Sequence, residues 1–273
     1  MEPMKLDLHV HSSASDGAWS AEKLVRAAVA AGLDVLAVAD HDTVAAVLPS
    51  MQAAAGSPLR VLSAVELTCA GPSGEMHLLG YGVDPLHDEL VGHQERTVLR
   101  REDRMRGMIE RLGRLGAHVG LDDVRREAGE DAVLGRPHLA RALVTAGHVG
   151  SVNAAFERWL ADAGPAWVGL EAVSAAEAIQ LVHDAGGVAV WAHPRSDRLE
   201  EDLPALTADG LDGLEAFRPR SSGPEVERVR AVAARAELLV TGGSDWHGPW
   251  SGRLGDFWVR SADIAPFLER IAI

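Results

Sequence analysis

Residues 5–11 read KLDLHVH, 33–41 read LDVLAVADH and 60–68 read RVLSAVELT. Each is a short apolar run that closes on a histidine or a carboxylate. Between them lie stretches with helical periodicity, SAEKLVRAAVAAG at 20–32 and TVAAVLPSMQAAAG at 43–56. Strands that alternate with amphipathic helices build parallel βαβ units, and EMHLLGYGV at 75–83 extends the series with a further strand. The alternation resumes after residue 165 with SAAEAIQLVHDAGG, VAVWAHP, LDGLEAF, GPEVERVRAVAARA, LLVTGGSDWHG and ADIAPFLERIA. These segments predict an α/β barrel domain made of residues 1–85 and 165–273. Residues 86–164 have helix-like periodicity instead, from the arginine-rich ELVGHQERTVLRREDRMRGMIERLGRLG to three shorter segments that each stop at a glycine, a usual helix terminator. This block is expected to be a helical insertion, with the arginines between Arg96 and Arg114 forming a solvated face.

The strand ends carry the chemistry. His9, His11, Asp16, His41, Glu66, His77, His193, Asp245 and His247 make a set of six imidazoles and three carboxylates. Side chains two apart on a strand point to one side, so His9 with His11, and Asp245 with His247, can each reach a single cation. A nitrogen and oxygen set without thiolate suits Mn, Fe or Zn, whereas an all-oxygen set would favour Mg or Ca. A lone HxH is weak evidence, since an isolated histidine on an apolar face is more often a core residue. Two such pairs with ADH, AHP and VELT are hard to explain by packing. Donors scattered from residue 9 to residue 247 need a place where many strands end together, and the C-terminal rim of a parallel barrel is that place.

Composition narrows the alternatives. The chain has 273 residues, 47% of them apolar, and a net charge of -14. It can bury a full core and has no broad basic surface for long nucleic acid, which leaves nucleotides and oligonucleotide ends open. Only Lys5 and Lys23 are lysines. The N-terminus MEPMKLDLHV lacks a signal-peptide pattern and no apolar run reaches membrane-span length, so a cytoplasmic protein without a membrane partner is expected. The single cysteine, Cys69, is expected to be a buried structural thiol in a reducing compartment.

HVHSSASDG, ADHDT, VELT, AHP and GGSDWHG, in this order and over nearly the whole chain, resemble the PHP (polymerase and histidinol phosphatase) family. The resemblance implies a distorted (β/α)7 TIM-like barrel and a hydrolase of phosphate esters holding two or three divalent ions, with manganese favoured. By the same resemblance His9, His11, Glu66 and Asp245 would hold one ion, Glu66, His77 and His193 a second, and Asp16, His41 and His247 a third. GRPHLARALVTAG at 135–147 resembles a segment of stand-alone bacterial members that remove the 3′-phosphate of nucleoside 3′,5′-bisphosphates or trim 5′-phosphorylated RNA. In that comparison Arg136 and His138 would grip phosphate over the barrel mouth, with Arg195, directly after AHP, as a further contact. The plainer reading is that Pro137 starts a helix and its neighbours cap and pack. The loop RPRSSGPE at 218–225 departs from that subgroup, which has a histidine or tyrosine there. Arg218 and Arg220 either contact an anion instead or face solvent.

Three divalent ions would bring six positive charges against three carboxylates, a cationic site that selects an anion. A metal-bound water, its pKa lowered toward roughly 7, would be the nucleophile. Asp40 either orients a ligand imidazole or caps the helix near Thr43. Trp191 and Trp246 either stack on a base or close the core, and Gly242 with Gly243 is expected to let the backbone turn beneath Asp245. Besides nucleotide or short-RNA hydrolysis, two readings stay open: a histidinol-phosphate phosphatase, and a metal-stabilised, non-catalytic PHP module that binds a partner.

Overall fold

The computed structural model describes residues 3–129 and 131–273; Met1, Glu2 and Glu130 lie outside the described residues. The first half alternates as expected: β1 (Lys5–Val10), α1 (Ala21–Ala31), β2 (Val35–Val38), α2 (Val47–Ala54) and β3 (Arg60–Gly71). Helix α1 starts where the Ser20 hydroxyl accepts from the Lys23 amide, and it stops at Gly32, whose φ of 71° an L side chain would resist. Strand β4 (Gly74–Tyr81) follows, then helices α3 (Asp88–Arg114), α4 (Leu121–Ala128), α5 (Arg136–Thr145) and α6 (Val152–Ala155). The second half runs β5 (Val173–Ser174), α7 (Ala175–Asp184), β6 (Val188–Trp191), α8 (Leu199–Ala208), β7 (Gly213–Phe217), α9 (Gly223–Arg235), β8 (Leu239–Gly242), β9 (Val259–Arg260) and α10 (Ala265–Arg270).

The strands form one sheet in the order β8-β7-β6-β4-β3-β2-β1-β9, with β5 beside β3. Apart from the two-residue β5 and β9, seven strands of this nine-stranded sheet make a barrel-like wall. It is nearly closed: beyond β8, Trp246 bridges to Val10, and the His11 amide donates to the Trp246 carbonyl at 2.9 Å. The barrel is distorted at β4, which runs antiparallel to both β3 and β6. A tight turn at 71–74, not a crossover helix, joins β3 to β4, so His77, near the start of its strand, reaches the rim where the other strands end.

Alternation along each strand then stacks the site on the core. Ala37 and Ala39, Leu62 and Ala64, and Leu79 and Tyr81 belong to one buried apolar cluster with Leu6, Leu8, Val188 and Val190. Continuing the same two-residue period leads to His41, Glu66 and His77. On β1 the pairing register shifts between Asp7 and Val10, and this change of phase brings His9 inward after Leu8. Phe267 and Leu268 of α10 join the same cluster.

Helices α3 to α6 pack on an apolar cluster of their own, which includes Met105, Met108, Leu112, Leu139, Leu143 and Trp159. The solvated-face expectation for the α3 arginines fails at Arg101 and Arg104, both buried. Arg101 Nε donates to Asp42 Oδ2 at 2.8 Å, Nη2 donates to Thr68 Oγ1 at 2.8 Å, and Nη1 donates to the Leu134 carbonyl at 3.3 Å. One guanidinium thus ties α3 to the residue after His41 and to the approach to α5. Burial would raise the Asp42 carboxyl, but Arg101 and the Thr68 amide hold it below its ordinary value. Removing one partner of such a buried pair strands the other charge. The Arg101→Met variant is therefore expected to lose about 3–5 kcal/mol of stability in denaturant unfolding, and a loss under about 1 kcal/mol would show that the pair carries little of the tie.

Candidate metal centre

Glu66, fully buried on β3, is the centre of the site. Its Oε1 lies 3.0 Å from His77 Nδ1 and 2.9 Å from His193 Nε2. Its Oε2 lies 3.4 Å from His9 Nε2, 3.3 Å from His11 Nε2 and 3.0 Å from His41 Nδ1. Asp245 Oδ1 closes the first group at 3.4 Å from His9 Nε2 and 3.3 Å from His11 Nε2. Asp16 gathers the rest, with Oδ1 3.3 Å from His247 Nε2 and Oδ2 3.9 Å from His41 Nε2. All nine residues expected from the sequence therefore converge. The donor atoms gather as His11, Asp16, His41 and His247, as His9, His11 and Glu66, and as His41, Glu66 and His77. His11 thus joins the Asp16 group, its Nδ1 3.8 Å from Asp16 Oδ1, and His41 is shared with Glu66 and His77. Asp245 and His193 join through the contacts above.

The donor chemistry fits cations. His9 Nε2 faces His11 Nε2 at 3.1 Å, and His77 Nδ1 faces His193 Nε2 at 3.2 Å. Among the described residues, His11 Nδ1, Asp16 Oδ1, His41 Nδ1 and Glu66 Oε2 are buried without a hydrogen-bond partner. Buried polar atoms are ordinarily paired, so a concentration of lone pairs aimed at one another marks a place for positive charge. Burial would raise the Glu66 carboxyl, yet His41, His77 and His9, with the His193 hydrogen bond, hold it well below the usual carboxylate range. Asp16 is likewise held low against its burial by His247 and His41. Burial drives His41 down to about 3, which leaves its ring neutral with one nitrogen lone pair available.

Backbone strain and outer hydrogen bonds aim the donors. His193 and Asp245 have φ of 33° and 51°, and Asp42, next to His41, has φ of 52°. Such conformations are uncommon for residues other than glycine and persist where the surroundings enforce them. Glu215 is the enforcing group on one side: its Oε1 lies 2.9 Å from His9 Nδ1, and its Oε2 accepts from the His193 amide at 2.7 Å. The sequence alone did not single out Glu215, although a lone carboxylate inside the apolar strand GLEAF was the available signal. Gly243 serves close approach and not a turn, because a Cβ there would lie 2.3 Å from the His9 Cβ. Gly242 is pressed against Phe217 in the same way.

Several expected roles change. Asp40 neither orients a ligand imidazole nor caps the helix; it accepts from the Ser12 amide at 2.7 Å and from the Ser12 and Ser15 hydroxyls at 2.6 and 2.5 Å. It thus fixes the loop that carries Asp16. His138 is buried, and its Nδ1 accepts from the Gly135 amide at 2.9 Å, the capping role of the plainer reading. Burial lowers it to about 4, so the capping ring is neutral. Trp246 is buried and its Nε1 donates to the Gly252 carbonyl, which places it in the core; Trp191 is buried on β6 and borders the cleft of His77 and His193. Cys69 is buried and unpaired, as expected.

Two clefts open from the cluster. One, of about 510 Å³, is lined by His77, His193, Arg136, Arg195, Trp167 and Asp162 among others. There Arg136 is 2.5 Å from Asp162 and 3.5 Å from Glu75, while Arg195 on the exposed rim is 2.9 Å from Asp197. Trp167, with its half-buried indole, went unremarked in the sequence. The other cleft, of about 340 Å³, borders Asp245 and His247 on the far side.

The PHP domain model matches residues 7–160. Over 250 residues the chain is 32% identical to the 5′-3′ exoribonuclease Rnm of Escherichia coli (strain K12), covering 89% of this chain and 85% of that protein. It is 30% identical over 252 residues to the 3′,5′-nucleoside bisphosphate phosphatase of Chromobacterium violaceum, covering 90% and 88%. The crystal structure of a metal-dependent phosphoesterase from Bifidobacterium adolescentis superposes with a TM-score of 0.88 at 35% identity, covering 99% of this chain and 98% of that one. With the donors gathered at the rim and likeness along most of its length, the chain belongs to the PHP domain family.

Proposed function

We propose that this metal-dependent phosphoesterase hydrolyses the 3′-phosphate of nucleoside 3′,5′-bisphosphates, with 5′-phosphorylated short RNA as a second substrate of the same site. The observation that carries the proposal is Glu66, whose two oxygens face two different groups of imidazoles, as a carboxylate shared between cations would. His9, His11, Glu66 and Asp245 would hold one ion, Glu66, His77 and His193 a second, and Asp16, His41 and His247, with His11 beside them, a third. Divalent ions, manganese favoured, would supply Lewis-acid polarisation of the phosphoryl oxygens and activation of water at neutral pH.

The chain's own groups do the positioning. Glu215 orients the His9 ring and holds the His193 backbone, and Asp40 holds the loop of Asp16. Helices α3 to α6, within the insertion we assign to residues 86–164, bring Arg136 into the cleft shared with His77 and His193. A phosphoester there would draw the Arg136 guanidinium from its exposed partner Asp162 into a bidentate, charge-assisted contact. Arg195 is free to do the same from the rim, since exposed ion pairs such as its contact with Asp197 are weak. The relatives named for a nucleoside bisphosphate and for an RNA support a nucleotide over histidinol phosphate. Trp167 offers the cleft an aromatic face for a base.

Purified protein with Mn(II) is expected to release phosphate from adenosine 3′,5′-bisphosphate, to shorten a 5′-phosphorylated oligoribonucleotide, and to leave histidinol phosphate intact. Inactivity on both nucleotides, with metal loading verified, would refute the proposal. Steady-state kinetics of Arg136→Ala should show KM for the bisphosphate raised at least tenfold, about 1.4 kcal/mol. An unchanged KM would remove Arg136 from substrate binding.

A further inference from the structure

The cleft beyond Asp245 and His247 has no part in the assignment above, yet it is built from polar and cationic groups. Arg218 and Arg220, Ser221 and Ser244 line it together with those two members of the donor cluster. Arg218 directly follows β7, the strand that carries Glu215, so it rises on the same end of the barrel as the cluster. Its Nε is shielded from solvent and has no hydrogen-bond partner among the described residues. A guanidinium keeps its charge in a protein, and a buried donor without an acceptor is a group poised for one. Neither Arg218 nor Arg220 forms an ion pair among the described residues, whereas Arg136 and Arg195 in the opposite cleft are paired with Asp162 and Asp197. Glu225 also lines the cleft, where its Oε2 accepts from the Ser222 amide and hydroxyl at 2.8 Å each. In a chain of net charge -14, two arginines without a close ion-pair partner beside the donor cluster form a second place for an anion.

We infer that Arg218 and Arg220 form a subsite for the non-reacting phosphate of the substrate, the 5′-phosphate one nucleoside away from the phosphoester seated on the cluster. The inference deepens the nucleotide reading and rests on it. It makes the loop at 218–221, and not the helical insertion, the element that prefers a nucleotide with two phosphates over a simple phosphomonoester. The planar forks of two arginines match phosphate oxygens in a way serines alone cannot.

The two products of bisphosphate hydrolysis separate the subsites. Adenosine 5′-monophosphate is titrated calorimetrically into Mn(II)-loaded protein already saturated with inorganic phosphate, so that the cluster is filled and the nucleotide phosphate must use another place. Wild-type protein is expected to bind the monophosphate at least tenfold more tightly than adenosine. In the Arg218→Ala/Arg220→Ala variant the Kd of the monophosphate should rise at least tenfold, while the Kd of inorganic phosphate stays within twofold. A monophosphate Kd within twofold of wild type overturns the inference. So does an equal weakening of inorganic phosphate, which would place the arginines at the cluster itself. Phosphate release from the bisphosphate, followed separately on wild-type protein, tests the hydrolytic reading alone, because the titration reports the subsite whether or not turnover occurs.

Discussion

A carboxylate with no exposure to water, met on both oxygens by imidazole nitrogens, is the constraint on which the rest of this molecule depends. Glu66 could not be tolerated there alone, because an unpaired buried charge is among the least stable things a fold can contain. Five histidines approach its two oxygens within 3.4 Å. Four nearby buried polar atoms have no hydrogen-bond partner among the described residues, Glu66 Oε2 among them. Such a cluster is electrostatically incomplete as protein alone and is completed by cations. Binding would then stabilise the folded barrel as well as equip it for chemistry.

The barrel's construction follows from gathering these donors. Each of β1, β2, β6 and β8 contributes its donors at or just beyond its C-terminal end, and Glu66 stands midway along the longer β3, with apolar residues of the same phase filling the interior below. Strand β4 contributes from its start, and its reversed direction is what makes that compatible. The wall closes where Gly243 lies against His9, a contact that any side chain at 243 would prevent. Closure brings Asp245 to His9 and His11, so a packing detail between two strand ends sets the shape of the donor group.

The donors were legible in the sequence because they sit in short runs at the ends of apolar segments, a local pattern that needs no knowledge of the fold. Partnerships across the fold were not legible. Asp40 looked like a neighbour of His41, but its carboxylate serves Ser12 and Ser15 on the adjoining strand end. His138 was expected at an anion through the resemblance of GRPHLARALVTAG to a family segment, which carries no sign that its ring caps the first turn of α5. Arg101 lay hidden among arginines interleaved with acids, since only the packed structure shows that one of them meets Asp42 in the interior. The antiparallel course of β4 did have a local sign, the PSG turn between two strand-like runs at 72–74. Outside the insertion, a second cleft borders Asp245 and His247, lined by Arg218 and Arg220.

The central claim is that Glu66 joins separate cation sites, and metal content tests it most directly. Protein prepared in Mn(II) and freed of loose metal by gel filtration should carry at least two ions per chain by elemental analysis, and Glu66→Gln should lose at least one of them while retaining its fold. Wild-type protein holding less than one ion per chain, or a Glu66→Gln variant with unchanged metal content, would contradict the account.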